Sequence, residues 1–273
     1  MKNLSACAQL VREHDYERFV TVMFAPPNVR EALFTLYAFN YEVSKTREVV
    51  SETALGLIRL TWWREAIDEI YEGKPPREHE VVRPLADVIT HYNLPKKCFD
   101  TLIYAREFDL EDAVPGNLKG LKNYVDYTLA PLLELSGYVL NQGTKPDYDF
   151  KNMARFIGLS GILRSVAYHA AQDRCYLPQD MLDQAGVKKY DVFQGEKIGD
   201  IQSIIYDIAG EIWPLLDQIT YDETYRVLCL QTSLAKQAFA KLKGKDYNPF
   251  VSEEGAQSFS MLRLMLSYYL KRV

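Results

Sequence analysis

The sequence predicts an all-α fold, and three observations lead to that prediction. Apolar residues recur with the 3.6-residue period of a helix along most of the chain. No clean run of alternating apolar and polar residues, bounded by hairpin turns, indicates a strand. The interruptions are short and contain Gly, Pro and Asn, so no interdomain linker is visible. We therefore expect a single all-α domain of eight to ten helices covering residues 1–273, with a thick core or a central cavity.

Helix boundaries follow from residues that start or stop a helix. The first clear helix is expected to begin at Pro27, because a proline at the first helical position lacks only an N–H that has no helical partner. The next is expected to follow a Ser51 cap and to end at Gly73. Pro131 is expected to kink a later helix. Further helices are predicted over residues 81–92, 96–112, 117–141, 148–174, 198–219, 222–243 and 255–272.

Charge and cysteine usage exclude some classes of function. The 273-residue chain carries a formal net charge of −5 and no Lys/Arg-rich run, which argues against a nucleic-acid partner. The cysteines Cys7, Cys98, Cys175 and Cys229 are scattered, with no C-x-x-C pair, and are interpreted as reduced thiols in a cytosol-like compartment.

The N-terminal stretch does not have the pattern of a targeting signal. It reaches charged residues early, has no apolar core of a secretory signal and contains acidic residues. The longest apolar run, LAPLLELSGYVL, is too short to span a bilayer. The prediction is therefore a cytoplasmic protein, with peripheral contact at the inner membrane as the alternative.

Several stretches of the chain resemble the squalene/phytoene synthase superfamily: LYAFNYEVSKTRE (36–48), WWREAIDEIYEGKPP (62–76) and ILRSVAYHAAQDRCYLPQD (162–180). The resemblance covers about residues 20–245 and implies an isoprenoid synthase-like helical bundle with a central cavity. In the catalytic members, two helices bearing D-x-x-x-D gather Mg²⁺ around a prenyl diphosphate, because Mg²⁺ bridges carboxylates to phosphate oxygens.

This chain departs from the catalytic pattern in both helices. The acids of the first motif fall on Ser44 and Glu48, with Lys45 at a further position that is often acidic. The acids of the second fall on Ser165 and His169, with Tyr168 at a position that is often acidic. Only one carboxylate remains, so the motifs are degenerate and no catalytic residue, metal or cofactor is predicted. Magnesium is expected only if catalysis has survived.

One branch of the superfamily shows the same departures. The patterns AFN-x-E and V-S-E-x-x-x-G-L-x-R resemble the assembly factors of NADH dehydrogenase (complex I) rather than the enzymes. The resemblance implies a non-catalytic protein whose partner is an NADH dehydrogenase subunit or assembly intermediate. Its retained cavity is expected either to hold an isoprenoid or lipid or to serve as a scaffold for the partner. The rivals are a Mg²⁺-dependent prenyltransferase and an isoprenoid or lipid carrier.

The residues expected to line this substrate-like pocket come from both motif helices. They are Tyr37, Asn40, Tyr41, Ser44, Glu48, Arg164, Ser165 and His169. Aromatic residues such as Phe39, Trp63 and Tyr104 are expected either to line the same pocket or to belong to the hydrophobic core. His169 and Asp173 are spaced to form an i,i+4 metal pair, although a hydrogen-bonded histidine explains the pattern better. The C-terminal LRLMLSYYLKR forms an amphipathic helix that either touches a membrane or partner, or packs on the core.

Overall fold

A computed structural model describes residues 4–50, 52–251 and 260–271 of the chain. Within these ranges the elements are seventeen α-helices and one 3-10 helix, and no strand occurs. The all-α prediction is confirmed. The helices are α1 (Ala6–His14), α2 (Tyr16–Val22), α3 (Arg30–Ser44), α4 (Thr46–Val49), α5 (Thr53–Tyr71), α6 (Val82–Tyr92), α7 (Lys96–Ala105), α8 (Glu107–Leu110), α9 (Leu118–Thr128), α10 (Ala130–Leu140), α11 (Lys151–Arg164), α12 (Val166–Ala170), α13 (Gln179–Gln184), α14 (Lys189–Gln194), α15 (Ile198–Ile212), the 3-10 helix (Trp213–Gln218), α16 (Arg226–Lys243) and α17 (Met261–Leu270).

The chain divides into two compact units. The first is formed by Met1–Glu111 and Tyr127–Phe150, and the second by Asp112–Asp126 and Lys151–Val273. The expectation of a single domain over residues 1–273 stays a prediction.

Helix α3 is the core of the first unit. It packs against α1, α2, α6, α7 and α10, and most of its residues are buried around the whole helix circumference. A helix that is apolar on all sides has no solvent face and must be surrounded. Phe39 packs edge-on against Trp63 of α5 at 5.6 Å and against Phe99 of α7 at 5.3 Å between ring centroids. Phe39 and Trp63 are therefore core residues, whereas Tyr104 is 60% exposed.

Helix α16 has the same role in the second unit. Its side chains are buried on several faces, and it packs along α11, which also contacts α15 and the 3-10 helix. Trp213 stacks on Phe239 at 4.8 Å, and its indole N–H donates to the Tyr247 hydroxyl at 3.0 Å. That hydrogen bond satisfies the polar edge of a large aromatic side chain.

Helix starts and ends differ from the predictions in several places. Pro27 lies in a turn closed by the Val29 N–H donating to the Pro26 carbonyl, and α3 begins at Arg30. Ser51 lies outside the described residues, and the helix expected after it begins at Thr53. Two short helices, α13 and α14, occupy stretches that the sequence predicts as breaks.

Four long predicted helices, including the first one over residues 27–50, are each interrupted by a single residue. The breaks fall at Lys45, Arg106, Leu129 and Ser165, so each predicted helix becomes two. At Leu129 the cause is Pro131, which lies in the first turn of α10 and has no N–H to continue the preceding helix. The predicted kink is confirmed. These splits, with α1 and α2 at the start of the chain, explain why eight to ten helices was too low.

A search of the described helices for a bilayer-crossing segment found none that is both long enough and apolar enough.

Candidate functional site

The first motif runs through the end of α3 and the whole of α4. The helix is interrupted at Lys45, beside the position of the first expected acid, and resumes at Thr46. Ser44 donates its hydroxyl hydrogen to the Tyr41 carbonyl one turn earlier, at 3.0 Å. Glu48, the one retained acid, is exposed to solvent. The motif thus presents a backbone-bonded hydroxyl and a solvated carboxylate.

A buried carboxylate lies one turn before these positions. Glu42 is only 6% exposed at its side chain, and its two oxygens accept separate ion pairs, from the Lys45 ammonium at 2.5 Å and from the Arg59 guanidinium at 2.7 Å. The same ammonium lies 4.8 Å from the centroid of the Tyr41 ring. Lys45 is therefore held by an internal acid and an aromatic face, which opposes the gathering of divalent cations at this helix turn.

Two buried polar atoms of this segment have no hydrogen-bond partner. They are Oδ1 of Asn40, a residue 8% exposed, and Oγ1 of Thr46, a residue 1% exposed. Buried polar groups are normally satisfied, and exceptions are commonly met by water or a ligand. Because its buried Oδ1 has no hydrogen-bond partner, Asn40 remains a candidate pocket residue.

Tyr37 and Tyr41 occupy different environments on α3. Tyr37 is fully buried, with its hydroxyl 3.4 Å from Ser136 Oγ of α10 and its ring 5.4 Å from the Arg18 guanidinium carbon. Burial alone would lower the pKa of Arg18, but the paired Asp15 carboxylate and Tyr37 outweigh it and raise that pKa. Tyr41 is partly exposed and stacks on His14 at 4.3 Å between ring centroids.

The second motif contains the break between α11 and α12. Ser165 is the interrupted residue, and its N–H donates to both Gly161 and Ile162 carbonyls at 3.1 Å. His169 packs edge-on against Tyr176 at 4.9 Å and against Tyr168 at 5.6 Å between ring centroids. The imidazole of His169 is therefore part of an aromatic cluster with Tyr168 and Tyr176.

A narrow crevice of the second unit lies beside this histidine. Its walls are Ile162, Val166, His169, Arg174, Cys175, Tyr176, Leu177 and Val192, and it has no room for a water molecule. Burial raises the pKa of the Cys175 thiol, so this thiol is a poor nucleophile. Arg164, at the last position of α11, is partly exposed. The crevice fits tight packing better than a ligand.

His169 and Asp173 do not form the helical metal pair that their spacing allows, which agrees with the preference for a hydrogen-bonded histidine. Helix α12 ends at Ala170, and Asp173 has a left-handed backbone with φ of +55°. Residues four apart share a helix face only while the helix continues. The helix ends at Ala170, three residues before Asp173, so the two side chains do not share a helix face.

The residues present do not fit a magnesium cluster. Mg²⁺ prefers oxygen ligands and usually bridges one or two carboxylates to substrate phosphate. The matching positions offer Ser44, Lys45, exposed Glu48, Ser165 and His169. Among residues 4–50, 52–251 and 260–271, no group of three or more His, Cys, Asp or Glu side chains is placed to hold a metal ion.

Sequence reasoning missed Glu42 and Arg59, the residues that determine the charge of this segment. A signal for them existed, because both belong to the patterns AFN-x-E and G-L-x-R that distinguish the chain from the enzymes. The structure joins the last residue of each pattern in one ion pair. Gly56 of the second pattern also has a packing reason, since a Cβ there would lie 2.5 Å from Leu110 Cδ2 of α8.

The fold and the two interrupted motif helices define an all-α protein of the isoprenoid synthase type. The family model for squalene/phytoene synthase matches residues 11–255. The chain belongs to the squalene/phytoene synthase family.

Curated relatives include both assembly factors and enzymes. NADH dehydrogenase (ubiquinone) complex I, assembly factor 6 of Bos taurus is 29% identical over 206 residues, which is 75% of this chain and 62% of that protein. The chain thus spans somewhat under two thirds of that relative. Presqualene diphosphate synthase of Sinorhizobium fredii is 26% identical over 168 residues, which is 61% of this chain and 59% of the enzyme.

Solved structures agree with the fold. A dehydrosqualene synthase crystallised with a ligand superposes with a TM-score of 0.77 at 15% identity, covering 97% of this chain and 93% of that one. A squalene synthase from Alicyclobacillus acidocaldarius superposes with a TM-score of 0.70 at 20% identity, covering 89% and 94%. At these identities the likeness concerns the fold alone, and the isoprenoid synthase-like prediction is confirmed.

Proposed function

We propose that this chain is a non-catalytic member of the squalene/phytoene synthase family that assists assembly of membrane NADH dehydrogenase. The observation that carries the proposal is the residue set at the motif positions. Ser44, Ser165 and His169 replace three acids, and Lys45 is bound internally by Glu42. Relatives named as complex I assembly factors match the chain over 75% of its length, and support the assembly role.

The partner in this proposal is a subunit or assembly intermediate of NADH dehydrogenase. The chain acts at the cytoplasmic face of the inner membrane, or at the matrix face in an organelle. The residues proposed to contact a ligand are Tyr37, Asn40, Tyr41, Ser44 and Glu48 of the first unit and, separately, Arg164, Ser165 and His169 of the second. In this proposal the chain either binds an isoprenoid or lipid without turning it over or serves as a scaffold for the partner subunit, and no cofactor is required.

The first test is pyrophosphate release from farnesyl and geranylgeranyl diphosphate with Mg²⁺, beside an active phytoene synthase. We expect no release above the protein-free blank, because the donor set cannot gather the metal ions. Release within a few orders of magnitude of the control enzyme would overturn the non-catalytic part of the proposal.

The second test measures assembly in a host from which the gene has been deleted. We expect less assembled NADH dehydrogenase on native gels and less membrane NADH oxidation. The wild-type chain and the Glu78→Gln variant should restore both equally, because the Glu78 side chain is 83% exposed and lies outside both motifs. Unchanged assembly after deletion would refute the assembly role.

The rival is a Mg²⁺-dependent prenyltransferase, favoured by family membership and by the retained Glu48. It predicts turnover that is lost in Glu48→Gln. An isoprenoid carrier predicts no turnover but stoichiometric retention of a polyprenyl lipid, which mass spectrometry of the purified chain would detect. Turnover would separate the prenyltransferase from the leading proposal. A retained polyprenyl lipid together with unchanged NADH dehydrogenase assembly after deletion would separate the carrier from it.

A further inference from the structure

Helix α17 presents an apolar face to solvent. Six of its ten residues are large, apolar or aromatic, and at least 36% exposed, whereas only Leu264 is buried. The exposed residues are Met261, Leu262, Met265, Leu266, Tyr269 and Leu270. Their spacing of one and four residues places them on one side of the helix. This is the reverse of a surface helix that buries its apolar stripe in its own domain.

The inner side of α17 is held in place by identified contacts. Leu264 packs inward, and α17 lies along α16 of the same unit. The Ser260 hydroxyl oxygen accepts from the Arg263 N–H and caps the helix, while the Ser260 N–H donates to Gln237 of α16 at 3.1 Å. At the other end, the Arg226 guanidinium lies 3.9 Å from the Tyr268 ring centroid. The apolar face is therefore displayed by a positioned helix.

The charge around this face favours an anionic surface. From Met261 to the last residue the sequence contains Arg263, Lys271 and Arg272 and no acid, in a chain whose formal net charge is −5. Arg263 is exposed near the start of α17. After its end the Lys271 side chain is 63% exposed and pairs with the Glu223 carboxylate, itself 52% exposed, at 3.3 Å. An exposed pair of this kind is weak, so a lipid phosphate can replace the carboxylate. A helix with an apolar face, basic flanks and aromatic residues is typical of segments that lie at a lipid headgroup boundary.

The size of the face argues against a second copy of the chain as its occupant. The face consists of six exposed side chains on one helix about 15 Å long. A stable protein interface involves about 20–30 residues on each partner. A bilayer needs no matching partner surface, and a few apolar side chains with basic flanks give reversible binding.

We propose that α17 binds reversibly to the surface of a membrane containing anionic lipids, with its apolar face in the headgroup region and Arg263 and Lys271 on the lipid phosphates. The inference stands apart from the assembly proposal, because a vesicle contains no NADH dehydrogenase.

The test is flotation of the full chain with vesicles of equal parts phosphatidylglycerol and phosphatidylcholine, and with phosphatidylcholine alone. We expect the wild type to float with the mixed vesicles and at least about threefold less with the neutral ones, since the basic flanks lose their counter-charges. The combined substitution Leu262→Ser, Leu266→Ser and Leu270→Ser should reduce flotation at least about tenfold.

The matched control removes exposed apolar side chains elsewhere. Leu55 and Ile58 of α5 are 48% and 65% exposed, so Leu55→Ser with Ile58→Ser should leave flotation unchanged. A Tyr269→Trp variant should show a blue shift of its tryptophan emission maximum when mixed vesicles are added. The shift should be larger than that of the wild type with the same vesicles.

Three outcomes would overturn the proposal: no flotation of the wild type, equal flotation of the wild type and the triple variant, or equal loss in the α5 control. A wild type that elutes as a dimer and a triple variant that elutes as a monomer, without flotation of either, would assign the face to a second copy instead.

Discussion

The ion pairs of Glu42 give the most informative prediction, because the chain supplies its own control in Glu48. Glu42→Gln keeps the shape of the side chain and removes its charge. Its two oxygens serve different cations, so an amide can accept from one of Lys45 and Arg59 but must turn its NH₂ toward the other. Glu48→Gln makes the same chemical change at an exposed carboxylate.

The magnitude lies between two limits. Breaking a fully buried ion pair costs about 3–5 kcal/mol, whereas exposed pairs contribute only about 0–1 kcal/mol. Glu42 is 6% exposed, but the side chains of Lys45 and Arg59 are 20% and 31% exposed and keep some hydration. We expect Glu42→Gln to lower the free energy of unfolding by about 2 kcal/mol.

Thermal unfolding followed by far-UV circular dichroism measures the effect. For a protein of this size, the expected loss corresponds to a Tm lower by about 4–8 °C. Glu48→Gln should leave the Tm within about 1 °C of wild type, because its carboxylate is solvated. Equal Tm values for both variants would refute the reasoning that Glu42 is the structural acid and Glu48 the solvated one.

Three further predictions concern packing and ionisation. Gly158→Ala should lower the free energy of unfolding by about 1–3 kcal/mol, because its Cβ would lie 2.5 Å from Val125 Cγ1. Gly161→Ala should raise it slightly, because a Cβ there would meet nothing within 4 Å. Urea unfolding of both variants measures the difference. In the same urea experiment, Phe39→Ala should lower the free energy of unfolding by about 3–5 kcal/mol, because its ring is fully buried. Tyr104→Ala should change it by less than about 0.5 kcal/mol, because its ring is 60% exposed. Burial raises the pKa of Cys7 and Cys229 to about 11 and of Cys98 to about 12, above the 9.0 of a free thiol. The unfolded chain therefore loses these protons first, and the urea midpoint should fall as pH rises from 9 to 11, less steeply in Cys98→Ala.

Sequence periodicity was sufficient for the fold class but not for helix continuity. The stretch 81–92 was predicted almost to the residue, because an apolar stripe and a left-handed Asn93 after its last turn define α6. The breaks at Lys45 and Ser165 were not predictable from period alone, since both residues are compatible with a continuing helix. Only Pro131 gave a covalent reason to expect an interruption.

The candidate site was predicted in part, and for physical reasons that differ by residue. The loss of acids at Ser44, Ser165 and His169 is a property of the sequence itself. The partnership of Glu42 with Arg59 depends on how α3 and α5 pack, so no local spacing could reveal it. Asp173 shows the opposite case, in which a suggestive spacing fails because the helix has already ended.

The Lys45–Glu42–Arg59 arrangement also limits which charges the first motif can accept. Lys45→Asp would place an acid one helical turn from buried Glu42 and remove one of its two counter-charges. An acid at this position would therefore weaken the fold before any metal ion could bind. A more acidic first motif would need a compensating change at Glu42 as well, so the ion pairs of Glu42 link the charge of this helix turn to the stability of the fold.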